Sequence, residues 1–189
     1  MGASSSTLAR VSEPGPVQGK SPVREAPAGV RVFRCFAFLD LCGFTELGDE
    51  FGDDAAVSEL RTLRELVRAE TTHWGVRVDK WLGDGVMLVG VEVEPVVRTV
   101  LAIFAGHAGH GRLPLRGGIA CGRVILMEGD DYVGRVVNVA SRLCDTAGAG
   151  EVLCSRETVE DLDWLEGSQA VGVQVKGFHD VVPAVAIHP

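Results

Sequence analysis

The sequence predicts an α+β fold: one antiparallel-rich sheet with helices packed mainly on one face. Three observations predict it. Runs of β-branched and aromatic residues read as strands, and stretches with apolar residues at helical spacing separate them. Two of the runs are joined by Gly83-Asp84-Gly85, the chemistry of a tight antiparallel hairpin. The order strand, helix, strand pair, helix, strand pair, helix, strand places helices against one sheet. At 189 residues, 46% of them hydrophobic, the chain can bury a core without staples.

Residues 1–29 are rich in Ser, Pro, Gly and Ala and poor in large apolar side chains. They are expected to be a disordered tail, since little burial would offset the entropy of ordering. The single folded domain is expected over 30–189. It opens with the strand Val30 to Leu39. A turn at Cys42-Gly43 leads to a short helix, then a long one from about Asp54 to Thr72, with Val57, Leu60, Leu63 and Val67 as its apolar stripe. Gly75 is its stop. The hairpin strands are Val76 to Leu82 and Val86 to Val91. Pro95 opens a helix ending in the glycine-rich stretch Gly106 to Gly111. Leu115 to Cys121 and Val124 to Met127 read as another strand pair, followed by a helix from about Val136 to Ala147. Short strands near Val152, at Val171 to Val175 and at Val181 to Ile187 complete the domain.

Composition narrows the function. A formal net charge of −8 lacks the basic footprint of a nucleic-acid binder. It permits a nucleotide, which a few local cations and metal ions can hold. The five cysteines form no CxxC pair and several lie in apolar runs, so reduced core thiols are expected. His107 and His110 are expected on the surface near a helix end. No apolar stretch approaches the roughly 20 residues that cross a bilayer, and no signal peptide is visible. A cytoplasmic protein without membrane or nucleic-acid partners is expected.

Several polar residues stand where chemistry needs them. Asp40 closes the first strand and Asp84 tips the hairpin, so two carboxylates can meet at one sheet edge as hard-cation ligands. Each alone also suits an ordinary strand end or turn. Gly43, Phe44 and Thr45 enter a helix whose free N–H groups suit a phosphate, although Thr45 also suits a plain helix cap. Lys80 precedes Asp84 by four. Asn138 and Arg142, four apart, share one helix face, and Arg142 offers a donor fork suited to phosphate, although such a pair alone also suits a solvated face.

Together these residues resemble the class III nucleotide cyclases. Phe38-Leu39-Asp40-Leu41-Cys42-Gly43-Phe44-Thr45 is similar to the family's first metal motif, and Lys80-Trp81-Leu82-Gly83-Asp84 to its second. Asp131-Tyr132-Val133-Gly134 and Val137-Asn138-Val139-Ala140-Ser141-Arg142 resemble the substrate motif and transition-state helix. Val175-Lys176-Gly177-Phe178 resembles the late strand that reaches the phosphates. The resemblance runs from about residue 32 to 187. It implies a ferredoxin-like cyclase homology domain that makes cyclic AMP from ATP as a homodimer with active sites at the subunit interface. It also implies two divalent cations, Mg²⁺ or Mn²⁺, held by Asp40, Asp84 and the Leu41 carbonyl. Lys80 and Asp131 would read adenine, Asn138 would orient the ribose, Arg142 would stabilise the α-phosphate, and Lys176 would grip the terminal phosphates. A Lys donor with an Asp acceptor suits adenine over guanine. The stretch from Gly122 to Asp131 is shorter than in many members. Competing readings are a guanylyl cyclase and a catalytically silent cyclase-like binding module. A diguanylate cyclase would need a Gly-Gly-Asp/Glu-Glu-Phe signature, which the hairpin lacks.

Overall fold

A computed structural model describes residues 29–127, 131–160, 162–165, 169–174 and 181–187. The expected tail, save Gly29, lies outside the described residues, and so does Lys176. The chain forms β1 (Val30–Leu41), α1 (Phe44–Phe51), α2 (Asp53–Trp74), β2 (Arg77–Leu82), β3 (Gly85–Gly90), α3 (Val93–His110), β4 (Leu115–Leu126), β5 (Tyr132–Val133), α4 (Arg135–Thr146), β6 (Val152–Ser155), α5 (Arg156–Val159), β7 (Gln169–Gln174) and β8 (Val181–Ile187). The strands make one sheet in the order β2-β3-β1-β4-β6-β8-β7, with β5 pairing on β4. Every pairing is antiparallel except β4 with β6.

Alternation along β1 explains the layers. Cys35, Ala37, Leu39 and Leu41 are buried in a cluster with Leu63 and Val67 of α2 and Val96, Val100, Ile103 and Phe104 of α3. Phe36 faces the other way, with Met87, Val89, Ala120 and the α4 residues Val139, Ala140 and Leu143. The two long helices therefore cover one face, and α4 lies on the other. It lies very close. A Cβ on Gly118 would collide with the Ala140 carbonyl and the Cys144 amide, so glycine sets how near α4 approaches β4.

Four local expectations are corrected. The pair predicted at 115–127 is one unbroken strand, because β1 spans 12 residues and β4 matches it from Leu115 to Leu126. Val57 of the predicted stripe is 51% exposed, since the core contact begins a turn later. Cys35 lies directly opposite Cys121 in the β1–β4 register, and the two are joined as a disulfide; Cys42, Cys144 and Cys154 are free. His107 is not a surface residue. It is 2% exposed, packed against the equally buried Glu59.

Candidate active site

The fold gathers the candidate residues in two groups. β1 sits between β3 and β4, so its last residues meet both neighbours. Leu39 pairs with Val86 on one side, and Asp40 pairs with Arg116 on the other. That register carries Asp40 to the β2–β3 turn holding Asp84. The approach is close: a Cβ on Gly85 would lie 2.8 Å from the Leu39 carbonyl oxygen and 3.1 Å from Asp40 Oδ1. Glycine there leaves a cradle between strand end and turn. Partial burial pushes the Asp84 carboxyl above its usual range and the Asp40 charge adds to this, while the Asp84 backbone N–H and Arg116 oppose it. The two carboxylates therefore feel each other.

Arg116 was not anticipated from sequence. Its Nη2 and Nε donate to Asp40 Oδ2 at 2.5 and 3.0 Å, and its Nη1 donates to the Asp145 carbonyl at 3.3 Å. The Asp40 carboxylate raises the guanidinium's already high pKa. The only signal available was an arginine at the start of a strand, which is common on any surface. Its partnership depends on the β1–β4 register, invisible until the sheet is assembled. A pocket of about 150 Å³ adjoins this pair, lined by Phe38, Asp40, Leu82, Gly85, Ser141 and Asp145. Cys144 at its edge is buried, which pushes its thiol up to about 12 and keeps it protonated.

Among the described residues, no group of three or more His, Cys, Asp or Glu side chains is placed to hold a metal. The chemistry of the donors, two carboxylates close enough to perturb one another beside the Leu39 carbonyl, is nevertheless compatible with Mg²⁺ or Mn²⁺. Such ions are held by one or two carboxylates and complete their shells with substrate phosphates and water. The donor set is all oxygen.

The second group joins β2 to the segment before α4. Lys80 Nζ is ion-paired with Asp131 Oδ1 across 51 positions of sequence, and both side chains are about half exposed. The Asp131 carbonyl also accepts from the Met127 amide at 2.8 Å. Asn138 and Arg142 project to solvent from α4, and Arg142 is engaged by Asp145 at 2.9 Å. Neither is among the residues that line the pocket at Asp40. Thr45 is exposed and does not cap α1. The cap is Gly43, in a left-handed conformation with φ of 82°, and no side chain bonds there.

No protein-family model matches the chain. It is 36% identical over 137 residues to the pH-sensitive adenylate cyclase of Mycobacterium tuberculosis, covering 70% of this chain and 34% of that protein. The structure resembles that of the adenylyl cyclase CyaB from P. aeruginosa, with a TM-score of 0.73 and 26% identity over 85% of this chain and 96% of that one. A guanylyl cyclase structure matches in fold with a TM-score of 0.72 and 23% identity, covering 84% and 93%. The chain spans two fifths or less of the length of the curated relatives it matches.

Proposed function

We propose that this chain, which belongs to the class III adenylyl/guanylyl cyclases, is an adenylyl cyclase. It converts ATP to 3′,5′-cyclic AMP and pyrophosphate at sites shared by two copies of itself. The observation that carries this reading is the Lys80–Asp131 pair, a donor and an acceptor brought together from β2 and from the segment before α4. Adenine offers an amino donor beside ring-nitrogen acceptors, which this pair complements; guanine reverses the edge.

Asp40 and Asp84 would hold the divalent cations, with the Leu41 carbonyl as a further ligand. When bound, those ions lower the pKa of the ribose 3′-hydroxyl and neutralise charge on the phosphates. The chain's own residues do the rest. Lys80 and Asp131 exchange their mutual bond for bonds to the base. Asn138 orients the ribose. Arg142 leaves Asp145 to meet charge building on the α-phosphate as the 3′-oxygen bonds to it and pyrophosphate departs. Arg116, whose guanidinium now holds Asp40, would be free to meet a phosphate oxygen if that carboxylate served a cation. The glycine turn at Gly43, Phe44 and Thr45 offers backbone N–H groups to the same phosphates, and Lys176 is assigned to the terminal ones.

The exposure of the α4 pair supports a shared site. Asn138 and Arg142 are exposed on α4 and do not line the pocket at Asp40, which supports a reading in which a partner brings them to the metals. A two-fold dimer would then build two sites. The test mixes two crippled proteins. Asp40→Ala and Arg142→Ala should each be nearly inactive with ATP and Mn²⁺. After subunit exchange, about half the dimers are heterodimers with one intact site each, so roughly a quarter of wild-type activity returns. A mixture that exchanges subunits yet stays inactive defeats the shared-site reading. Formation of cyclic GMP in preference to cyclic AMP by the wild type defeats the assignment of ATP.

A further inference from the structure

We propose that Arg77, Asp79 and Tyr132 are positioning residues that set nucleobase selectivity by fixing where Lys80 and Asp131 sit. The inference rests on the base-reading assignment just made.

It begins with a register slip. Arg77 pairs with Val89 and Lys80 pairs with Met87, and the ladder shifts between Val78 and Lys80. Asp79 is thus an extra residue in β2, a bulge. In a regular strand, residues three apart face opposite sides of the sheet. The bulge cancels that alternation. Met87 and Val89 both belong to the α4 face, whereas Val78 and Trp81 pack with the core on the other side. Arg77 and Lys80 therefore emerge together on the α4 face.

From there they take hold of neighbouring residues. Lys80 binds Asp131. Arg77 Nη2 donates to the Tyr132 hydroxyl at 3.1 Å, with the guanidinium 5.9 Å from the ring centroid. The Tyr132 ring meets Phe36 of β1 edge-on at 5.3 Å, which seats it on the sheet. Two cations on one strand thus grip two consecutive residues of another segment. Two attachments fix the Asp131 carboxylate relative to Lys80; one exposed ion pair would leave it free to swing.

Asp79 completes the clamp. Its Oδ1 accepts from Arg77 Nη2 at 2.7 Å, its side chain is 5% exposed, and its Oδ2 is buried without a partner among the described residues. A buried oxygen left unbonded is a cost. A bulge serving stability alone would be better filled by a side chain that leaves no such atom. The arrangement makes sense when Asp79 aims Arg77 at Tyr132.

The test measures equilibrium binding of 3′-deoxy-ATP and 3′-deoxy-GTP to the full chain with Mn²⁺. These nucleotides lack the attacking hydroxyl, so no turnover intrudes. The proteins are wild type, Tyr132→Phe, Arg77→Met, the double variant, and Lys80→Ala as reference. Each clamp variant should lower the ATP-type to GTP-type affinity ratio by about fivefold, the loss of one hydrogen bond. The double variant should lose no more than Arg77→Met alone, because the hydroxyl contact removed by Tyr132→Phe is among those that Arg77→Met removes. Lys80→Ala should lower the ratio as well. If Lys80→Ala lowers the ratio while both single variants leave it within about twofold, the clamp plays no part in selectivity. Equal weakening of both nucleotides by the clamp variants would mark a general structural role and also overturn the proposal. If Lys80→Ala leaves the ratio unchanged, the base-reading assignment itself fails and the clamp falls with it.

Discussion

Removing the Glu59 carboxylate should destabilise the protein more than almost any other single polar change, although Glu59 is far from the proposed chemistry in sequence. Glu59 lies on α2 with 3% exposure. Its oxygens accept from the Arg112 amide at 3.0 Å and the Leu113 amide at 3.1 Å, and His107 Nε2 lies 3.1 Å away. His107 Nε2 is also 3.0 Å from the Leu113 carbonyl, so it faces two acceptors and carries the ring proton. Glu59→Ala strands two buried backbone donors at about 1–3 kcal/mol each. The loss is then about 3–5 kcal/mol, the middle of the range for two such donors. For a domain of this size each kcal/mol moves Tm by about 2–4 °C, so thermal unfolding should begin on the order of 6–20 °C lower. Glu59→Gln keeps one acceptor and should fall between the two. The loop these bonds hold, residues 111–114, also accepts the Cys42 amide through the Pro114 carbonyl at 2.9 Å and leads directly into Arg116. Activity should therefore fall ahead of unfolding. A Glu59→Ala protein melting within about 2 °C of wild type would refute the reasoning, because stranded donors of this kind cannot be that cheap.

Two further outcomes follow from the geometry. Gly118→Ala must push α4 off β4, at about 1–3 kcal/mol or more, whereas Gly109→Ala in α3 meets no atom within 4 Å and should be neutral; equal melting temperatures for the two variants would contradict the contact. The raised Asp84 carboxyl means that its protonated form suits the metal-free fold. That contribution is present below the ordinary carboxylate range and is lost as pH rises through the raised value. With a chelator at pH 7, Asp84→Asn should therefore melt higher than wild type, and added Mn²⁺ should raise the Tm of wild type but not of the variant. A lower Tm for chelated Asp84→Asn would show that the carboxylate is not under this strain.

Much of this fold is written in local chemistry. The hairpin is fixed by Gly83-Asp84-Gly85, the long helices by apolar spacing, and α4 by Val139, Ala140 and Leu143, all short-range signals. What escaped sequence reading depends on contacts between distant segments. The sequence around β4 reads as two strands, Leu115 to Cys121 and Val124 to Met127, yet facing β1 across 12 residues leaves no room for a turn between them. His107 looked exposed beside Gly106, Gly109 and Gly111, and only Glu59, in another helix, makes its burial tenable. The Cys35–Cys121 bond is likewise a product of register.

The candidate site divides along the same line. Asp40, Asp84, Lys80, Asp131, Asn138 and Arg142 stand out as candidates in the sequence because each sits in a short ordered motif whose spacing carries information. Arg116 and Arg77 were not, because an arginine in a strand has no distinguishing neighbours in sequence. Their meaning comes from what lies opposite: Asp40 across β1–β4 for the first, Tyr132 beyond a bulge for the second. Both arginines hold a residue of the proposed machinery by a fixed donor geometry, and a lysine at either place would keep the charge but lose the fork. The site is thus built in two tiers. In the proposed site the motif residues would meet the nucleotide and its metals, and the two arginines placed by register would hold Asp40 directly and Asp131 through its neighbour Tyr132.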